Sequence, residues 1–272
     1  AVAAGAIPLP LCGTRNDPIA AAEETLPRNL CPLIKSSYGF AVSDTCAFFR
    51  ASDFIVGDTT CDGKKKMFEL LNRKKTTHVL QLPQNQDTGI SVSLWNSELE
   101  RFKTIMEDAS GETIDEASLC SAISLMNRER QARKALMDVN KAKPALLKGT
   151  QILEILFKIG FLADKEKGIS FMEEVAEQAK KGMFLDDTSE GGKAKRILIT
   201  GVPVGLGSDK VVKIVEQLGA DVVAFENCSG YKQAFTVDES KAPMEALAEQ
   251  YLATPCTLKP ITQKVIPSNF VY

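Results

Sequence analysis

The segment Asp53–Leu71, DFIVGDTTCDGKKKMFELL, decides how the rest of the chain is read. It begins with a short apolar run, Phe54–Val56, and ends with Met67, Phe68, Leu70 and Leu71 at helical spacing. That pattern predicts a strand, a polar loop carrying Cys61, and a helix. THVLQLP (Thr77–Pro83), with His78 at its start, reads as the next short buried strand. In open parallel sheets, the loops leaving the carboxyl ends of strands are where ligands bind, and Cys61 sits in such a loop.

Working outward, the pattern turns helical from about Ser91 to Lys181. SLWNSELERFKTIMEDAS repeats Leu94, Leu99, Phe102, Ile105 and Met106 every three or four positions. TIDEASLCSAISLMNRERQARKALMDV does the same, with Thr113 expected as the N-cap, Glu116 at the capping-box position and Cys120 expected as core filler. TSEGGKAK (Thr188–Lys195) is a linker by composition. RILITGVPVGLGSDKVVKIVEQLGADVVAFENCSG then restarts an α/β pattern: strand 196–200, glycine-rich loop, helix 208–218, strand 221–225 and a loop with Cys228. The expected architecture is α/β, two Rossmann-like domains with parallel sheets and a helical middle segment. The expected boundaries are 1–90, 91–187 and 193–272.

At 272 residues, with 44% hydrophobic and 25% charged residues, the composition is that of a globular chain rather than a disordered one. A formal charge of −2 with acids and bases interspersed argues against a nucleic-acid surface. No apolar run approaches the roughly 20 residues of a membrane span, and no secretory leader opens the chain, so a cytoplasmic location is expected. The first residue is Ala, and the chain reads as one truncated at both ends.

Seven cysteines are an odd number for a disulfide framework. One histidine, His78, removes most zinc-site and histidine-based catalytic designs. Several thiolates with almost no imidazole most naturally hold iron–sulfur. Cys31, Cys46 and Cys61 lie at equal intervals of fifteen positions. LCP, TTCDG and ENCSG place Cys31, Cys61 and Cys228 beside Pro, Gly or small polar residues whose amides can point at sulfide. Cys12, like Cys120, is left with the core.

Other chemistries fit less well. GVPVGLG lacks the G-x-G-x-x-G order and has Pro203 between Gly201 and Gly205, so it reads as a tight strand-to-helix turn rather than a dinucleotide site. No phosphate loop and no G-x-S-x-G elbow occur, which argues against ATP binding and against a serine hydrolase. Lys64–Lys66 open a helix, where the macrodipole disfavours cations. Either an anion lies nearby or the run is a solvated helix face.

LPRNLCPLIKSSYGFAVSDTC, SDFIVGDTTCDGKKKMFELL and AFENCSGYK resemble the 2-hydroxyacyl-CoA dehydratase and benzoyl-CoA reductase family. CPLIKSSYGFA together with ENCSG is most similar to its double-cubane-cluster branch of anaerobic reductases. The resemblance runs from AAGAIP through YLATPC, while the tail TLKPITQKVIPSNFVY departs from the family pattern. It implies an iron–sulfur cluster in a cleft between two domains, either a double-cubane 8Fe cluster or 4Fe–4S. Cys31 and Cys61 fall on the first two cluster cysteines of the dehydratases. Cys228 and Cys256 fall on additional cysteines of the double-cubane branch, and Cys46 matches a further one. Lys35, Ser36, Ser37 and Tyr38, expected in the loop after Cys31, and Lys64 are implied as supporting donors, with ordinary turn chemistry as the alternative. The implied activity is that of a low-potential reductase component, with a 2-hydroxyacyl-CoA dehydratase subunit or a non-catalytic electron-storage or scaffold subunit as alternatives. The implied partners are a separate ATP-hydrolysing iron–sulfur activator and a second copy in a homodimer.

Overall fold

A computed structural model describes residues 1–84, 89–185 and 193–254. The chain is α/β and forms two compact units, Ala1–Ile114 and Asp115–Tyr272. The helical stretch expected over 91–187 is shared between them.

In the first unit, α1 (Ile19–Ala22), α2 (Pro32–Val42) and α3 (Ala47–Ala51) precede β1 (Ile55–Asp58), α4 (Asp62–Leu71), β2 (Thr77–Leu80) and α5 (Gly89–Ser110). β1 and β2 pair in parallel, with Ile55 opposite Thr77 and Asp58 opposite Leu80. Parallel neighbours need a crossover, and α4 supplies it. Its Met67, Phe68, Leu70 and Leu71 are all buried, the face that the sequence spacing marks. They pack with Leu26, Ile34, Tyr38 and Ile55 into one core. Each such side chain contributes about 1.5–3 kcal/mol on burial. His78 stacks edge-on against Phe54, a packing role.

The second unit contains α6 (Glu116–Asp138), α7 (Gly149–Gly160), α8 (Lys165–Lys180), β3 (Arg196–Thr200), α9 (Lys210–Gln217), β4 (Asp221–Glu226) and α10 (Pro243–Ala253). β3 and β4 are again parallel, and Thr200 pairs with Glu226. The register shifts between Ile197 and Leu198, so Val223 is extra on its strand. The core joins Leu136, Met137, Ile152, Leu153, Ile169 and Met172 of the helices to Val222–Phe225 of β4.

Two expectations are corrected. The N-cap of α6 is Asp115, not Thr113: the Asp115 carboxylate accepts the Ser118 N–H at 2.8 Å. Its negative charge also suits the positive end of the helix. Cys120 is exposed rather than core filler, because no residue of α6 before Ile123 is buried. The linker 188–195 lies largely outside the described residues, which resume at Lys193. Among the described residues, no helix is long and apolar enough to cross a membrane.

Candidate functional site

The three evenly spaced cysteines share one structural role. Cys31, Cys46 and Cys61 are the N-cap residues of α2, α3 and α4 respectively. Their carbonyls accept the first intrahelical bonds, from Lys35, Arg50 and Lys65. The Sγ of Cys46 accepts the Phe49 N–H and that of Cys61 the Lys64 N–H, both at 3.4 Å. A helix start offers unpaired N–H groups and the positive end of the dipole, an environment that favours negative charge.

Two of these helix starts adjoin. A Cβ added at Gly63 would lie 2.8 Å from Ile34 Cδ1 and 2.9 Å from Leu30 Cδ1. Leu30 and Ile34 bracket Cys31, and Gly63 follows Cys61 by two positions, so glycine permits the start of α4 to meet the start of α2. Cys31 is exposed and Cys61 half-buried, packed against the same core as Leu30 and Ile34.

The Cys61 loop is held by Asp58, the last residue of β1. Asp58 Oδ1 accepts from the Thr60 N–H at 3.1 Å and the Thr60 hydroxyl at 2.6 Å. Lys64 Nζ lies 3.4 Å from the same oxygen and 3.2 Å from Thr60 Oγ1. Lys65 pairs with Asp62 at 3.1 Å and Lys66 with Glu69 at 2.8 Å. All three lysines therefore have carboxylate partners, and Lys65 and Lys66 form a solvated helix face.

Lys35, Ser36, Ser37 and Tyr38 are not in a loop. Pro32 is pre-shaped for the first helical position, so α2 begins directly after Cys31 and includes all four. Lys35 is only 5% exposed and donates to Glu23 Oε1 and to the Arg28 carbonyl, each at 2.7 Å. The Lys35 hydrogen bond is the main reason that the Glu23 carboxyl sits below its usual range. Ser36 Oγ donates to the Arg15 carbonyl at 2.6 Å. Tyr38 lies in the core, and Ser37 is half-buried beside Gly13.

Cys46 has a sulfur neighbour from an earlier stretch of the chain. Its Sγ lies 3.1 Å from Cys12 Sγ, and it is 5% exposed. Burial, then the Cys46 hydrogen bond and charge, push the Cys12 thiol up to about 12. The sequence carries no signal for this partnership, because Cys12 sits in a stretch without regular periodicity.

Cys228 belongs to the second unit, in the loop after β4, and is half-buried. Gln233 Nε2 donates to its carbonyl, Arg133 Nη1 donates to Gln233 Oε1 at 3.2 Å, and Arg133 is clamped on Glu129 at 2.6 Å. Asn227 caps the neighbouring loop, donating to the Val202 carbonyl at 3.1 Å and accepting the Ser229 N–H at 2.9 Å. Cys256 lies outside the described residues. Among the described residues, no group of three or more His, Cys, Asp or Glu side chains is assembled to hold a metal ion.

Comparison with known proteins adds what the geometry does not carry. The family model described as "2-hydroxyglutaryl-CoA dehydratase, D-component" matches residues 1–266. The chain is 42% identical over 261 residues to the "Putative dehydratase subunit YjiM" of Escherichia coli (strain K12). That alignment covers 94% of this chain and 67% of the relative.

Proposed function

The chain belongs to the 2-hydroxyglutaryl-CoA dehydratase D-component family, and from that premise we propose that it is a subunit of a 2-hydroxyacyl-CoA dehydratase. The family match along the chain is the observation that carries the reading. The Escherichia coli relative is likewise named as a dehydratase subunit. Both favour the dehydratase reading over a double-cubane reductase, and neither speaks for an electron-storage subunit.

The proposal includes an iron–sulfur cluster, with Cys31 and Cys61 among its donors. Cluster binding requires soft thiolates with N–H groups nearby to balance the negative charge. The adjoining starts of α2 and α4 meet that requirement, since each sulfur belongs to a helix N-cap and Cys61 already accepts a backbone N–H. When bound, the cluster would supply one electron to the acyl-CoA thioester, so that the 2-hydroxyl group can leave as water. In this reading Cys31 and Cys61 bind the metal, Asp58 and Thr60 fix the loop that carries Cys61, and buried Lys35, paired with half-buried Glu23, anchors α2 behind Cys31. A separate ATP-hydrolysing activator supplies the electron, consistent with the lack of a phosphate loop in this sequence.

The test is anaerobic production of the protein with its companion subunit and activator. Expected results are bound iron and sulfide, loss of iron in Cys31→Ser and Cys61→Ser, and conversion of a 2-hydroxyacyl-CoA to the enoyl-CoA only with activator and ATP. Parental iron in both variants would remove the ligand assignment. Reduction of a small triple-bond substrate without any dehydration would return the reading to the reductase.

A further inference from the structure

We propose that β3 and α9 form a self-association surface, through which two copies of this chain pair about a two-fold axis. The surface lies within the second unit and is independent of the dehydratase reading.

β3 is an edge strand that lacks the usual protection. Among the described residues it pairs with β4 alone. Val222–Phe225 of β4 are each 1–2% exposed, whereas Ile197, Leu198 and Ile199 of β3 are only partly buried. Strands of parallel sheets are normally covered on both faces. Exposed edges are usually blunted by a proline, a bulge or a charge. β3 has no proline, and the extra residue of the ladder lies on β4. Its one charged residue, Arg196, donates to the Asn140 and Ala142 carbonyls.

α9 carries an apolar stripe on the flank beside that edge. Val211 is 60% exposed, Ile214 43% and Leu218 81%. Thr150 of α7 donates to Glu216 of α9 through its N–H at 3.1 Å and its hydroxyl at 2.7 Å. α7 in turn packs on β4, with Gly149 against Val222. Glu216 therefore marks the β4 side of α9. At about 100° per residue, Val211, Ile214 and Leu218 lie about 140–160° around the helix from it, on the β3 side.

A second copy fits both features at once. With the two-fold axis perpendicular to the sheet, β3 meets β3 antiparallel and the two α9 helices lie side by side on one face. Leu198 then sits at the axis, Ile197 is opposite Ile199, and Arg196 is opposite Thr200, so no like charges meet. The α9 stripe carries no charge, and in the antiparallel pair Val211 faces Leu218 of the other copy. A contact in which the same patch serves both copies closes at two. β3 is about 17 Å long, so the contact is smaller than the roughly 800 Å² per partner of a standard interface. The dimer should accordingly form and dissociate with concentration rather than be permanent.

The test is sedimentation velocity of the parent chain over about 1–300 μM, with a thiol reductant present so that exposed Cys31 and Cys120 cannot cross-link. Monomer should give way to dimer across that range. Val211→Glu and Leu218→Lys place charges that suit their ends of α9. Each should raise the midpoint at least about tenfold by burying an unpaired charge, with circular dichroism as in the parent. Mixed in equal amounts, the two variants should pair better than either alone, because Glu then faces Lys. Hydrogen exchange on the parent needs no variant: amide protection over 196–200 should rise with concentration. A parent that stays monomeric, with unchanged protection, would leave the surface to a different polypeptide and overturn the proposal. Growth beyond two copies, dimers undisturbed by either variant, or a mixture no better than its components would overturn it as well.

Discussion

The Sγ of Cys61 is held by the main chain of Lys64, whose N–H lies 3.4 Å away, while the Lys64 ammonium turns back to Asp58. Support for the Cys61 loop thus comes from the end of β1, with Lys64 bonded to it, and not from Lys65 or Lys66, which pair with Asp62 and Glu69. Asp58→Ala removes the acceptor shared by Thr60 and Lys64. It should cost about 1–2 kcal/mol in urea unfolding and, under the proposed cluster assignment, make iron easier to remove with a chelator. Lys65→Gln and Lys66→Gln break exposed pairs and should stay within about 0.5 kcal/mol of the parent.

The Lys35–Glu23 pair should respond unequally to its two removals. Lys35→Met replaces a buried ammonium by an apolar chain of similar shape and leaves Glu23 near Arg28, 3.6 Å away. Glu23→Gln instead removes the countercharge and leaves the buried cation with neutral acceptors, the Arg28 carbonyl among them, and should be the more damaging change. Thermal midpoints compared side by side check the order. Equal midpoints in the two variants would refute the predicted asymmetry.

Asn140 is fully buried and bonds both polar groups of Leu147, donating to its carbonyl at 2.8 Å and accepting its N–H at 2.9 Å. Asn140→Ala leaves both without that partner in the core and should cost about 2–4 kcal/mol. Urea unfolding measures the loss. A cost below the lower figure would mean that the 141–148 stretch finds other partners.

Asp138 makes the second unit sensitive to acid. Burial alone would raise its carboxyl, but hydrogen bonds from Lys134, Lys141 and Tyr231 outweigh it and hold the pKa below the ordinary 3.8. Its folded pKa is depressed, so its contribution is fully present above the unfolded value and is lost as pH falls through the folded one. Asp138→Asn should therefore lower stability at neutral pH, by about 1–2 kcal/mol, and lower it less near pH 2–3. Tyr231→Phe removes one donor, 2.7 Å away, and should cost about 1 kcal/mol. Stability curves taken at several pH values test both, and a pH-independent gap for Asp138→Asn would sink the account.

Much of the fold was legible in the sequence because it is set locally. The spacing of Met67, Phe68, Leu70 and Leu71 marks the buried face of α4, and the apolar runs at 54–56, 77–83, 196–200 and 221–225 mark the four strands found among the described residues. Local chemistry also marks Cys61 as the loop residue before a helix. Where sequence reading failed, two local rules competed. Pro32 after Cys31 can close a turn or open a helix, and only the packing of Ile34 and Tyr38 into the core selects the helix that includes Lys35 to Tyr38. Cys120 has helical spacing with Leu119, Ile123 and Met126, but spacing does not say where along α6 the covered part begins.

The sequence by itself therefore determined the α/β class, the parallel strand–helix–strand pairs and the family, since each depends on short-range periodicity or on contiguous motifs. Only the tertiary structure decided which side chains meet. It joined Cys46 to Cys12 across a separation of 34 positions, brought the start of α4 against the start of α2, and took Lys35 out of the polar surroundings of Cys31 to bury it on Glu23. The physical reason is the range of the forces. Helix and strand preferences act within a few residues, whereas a sulfur or an ammonium finds its partner only after the apolar core has fixed the backbone around it.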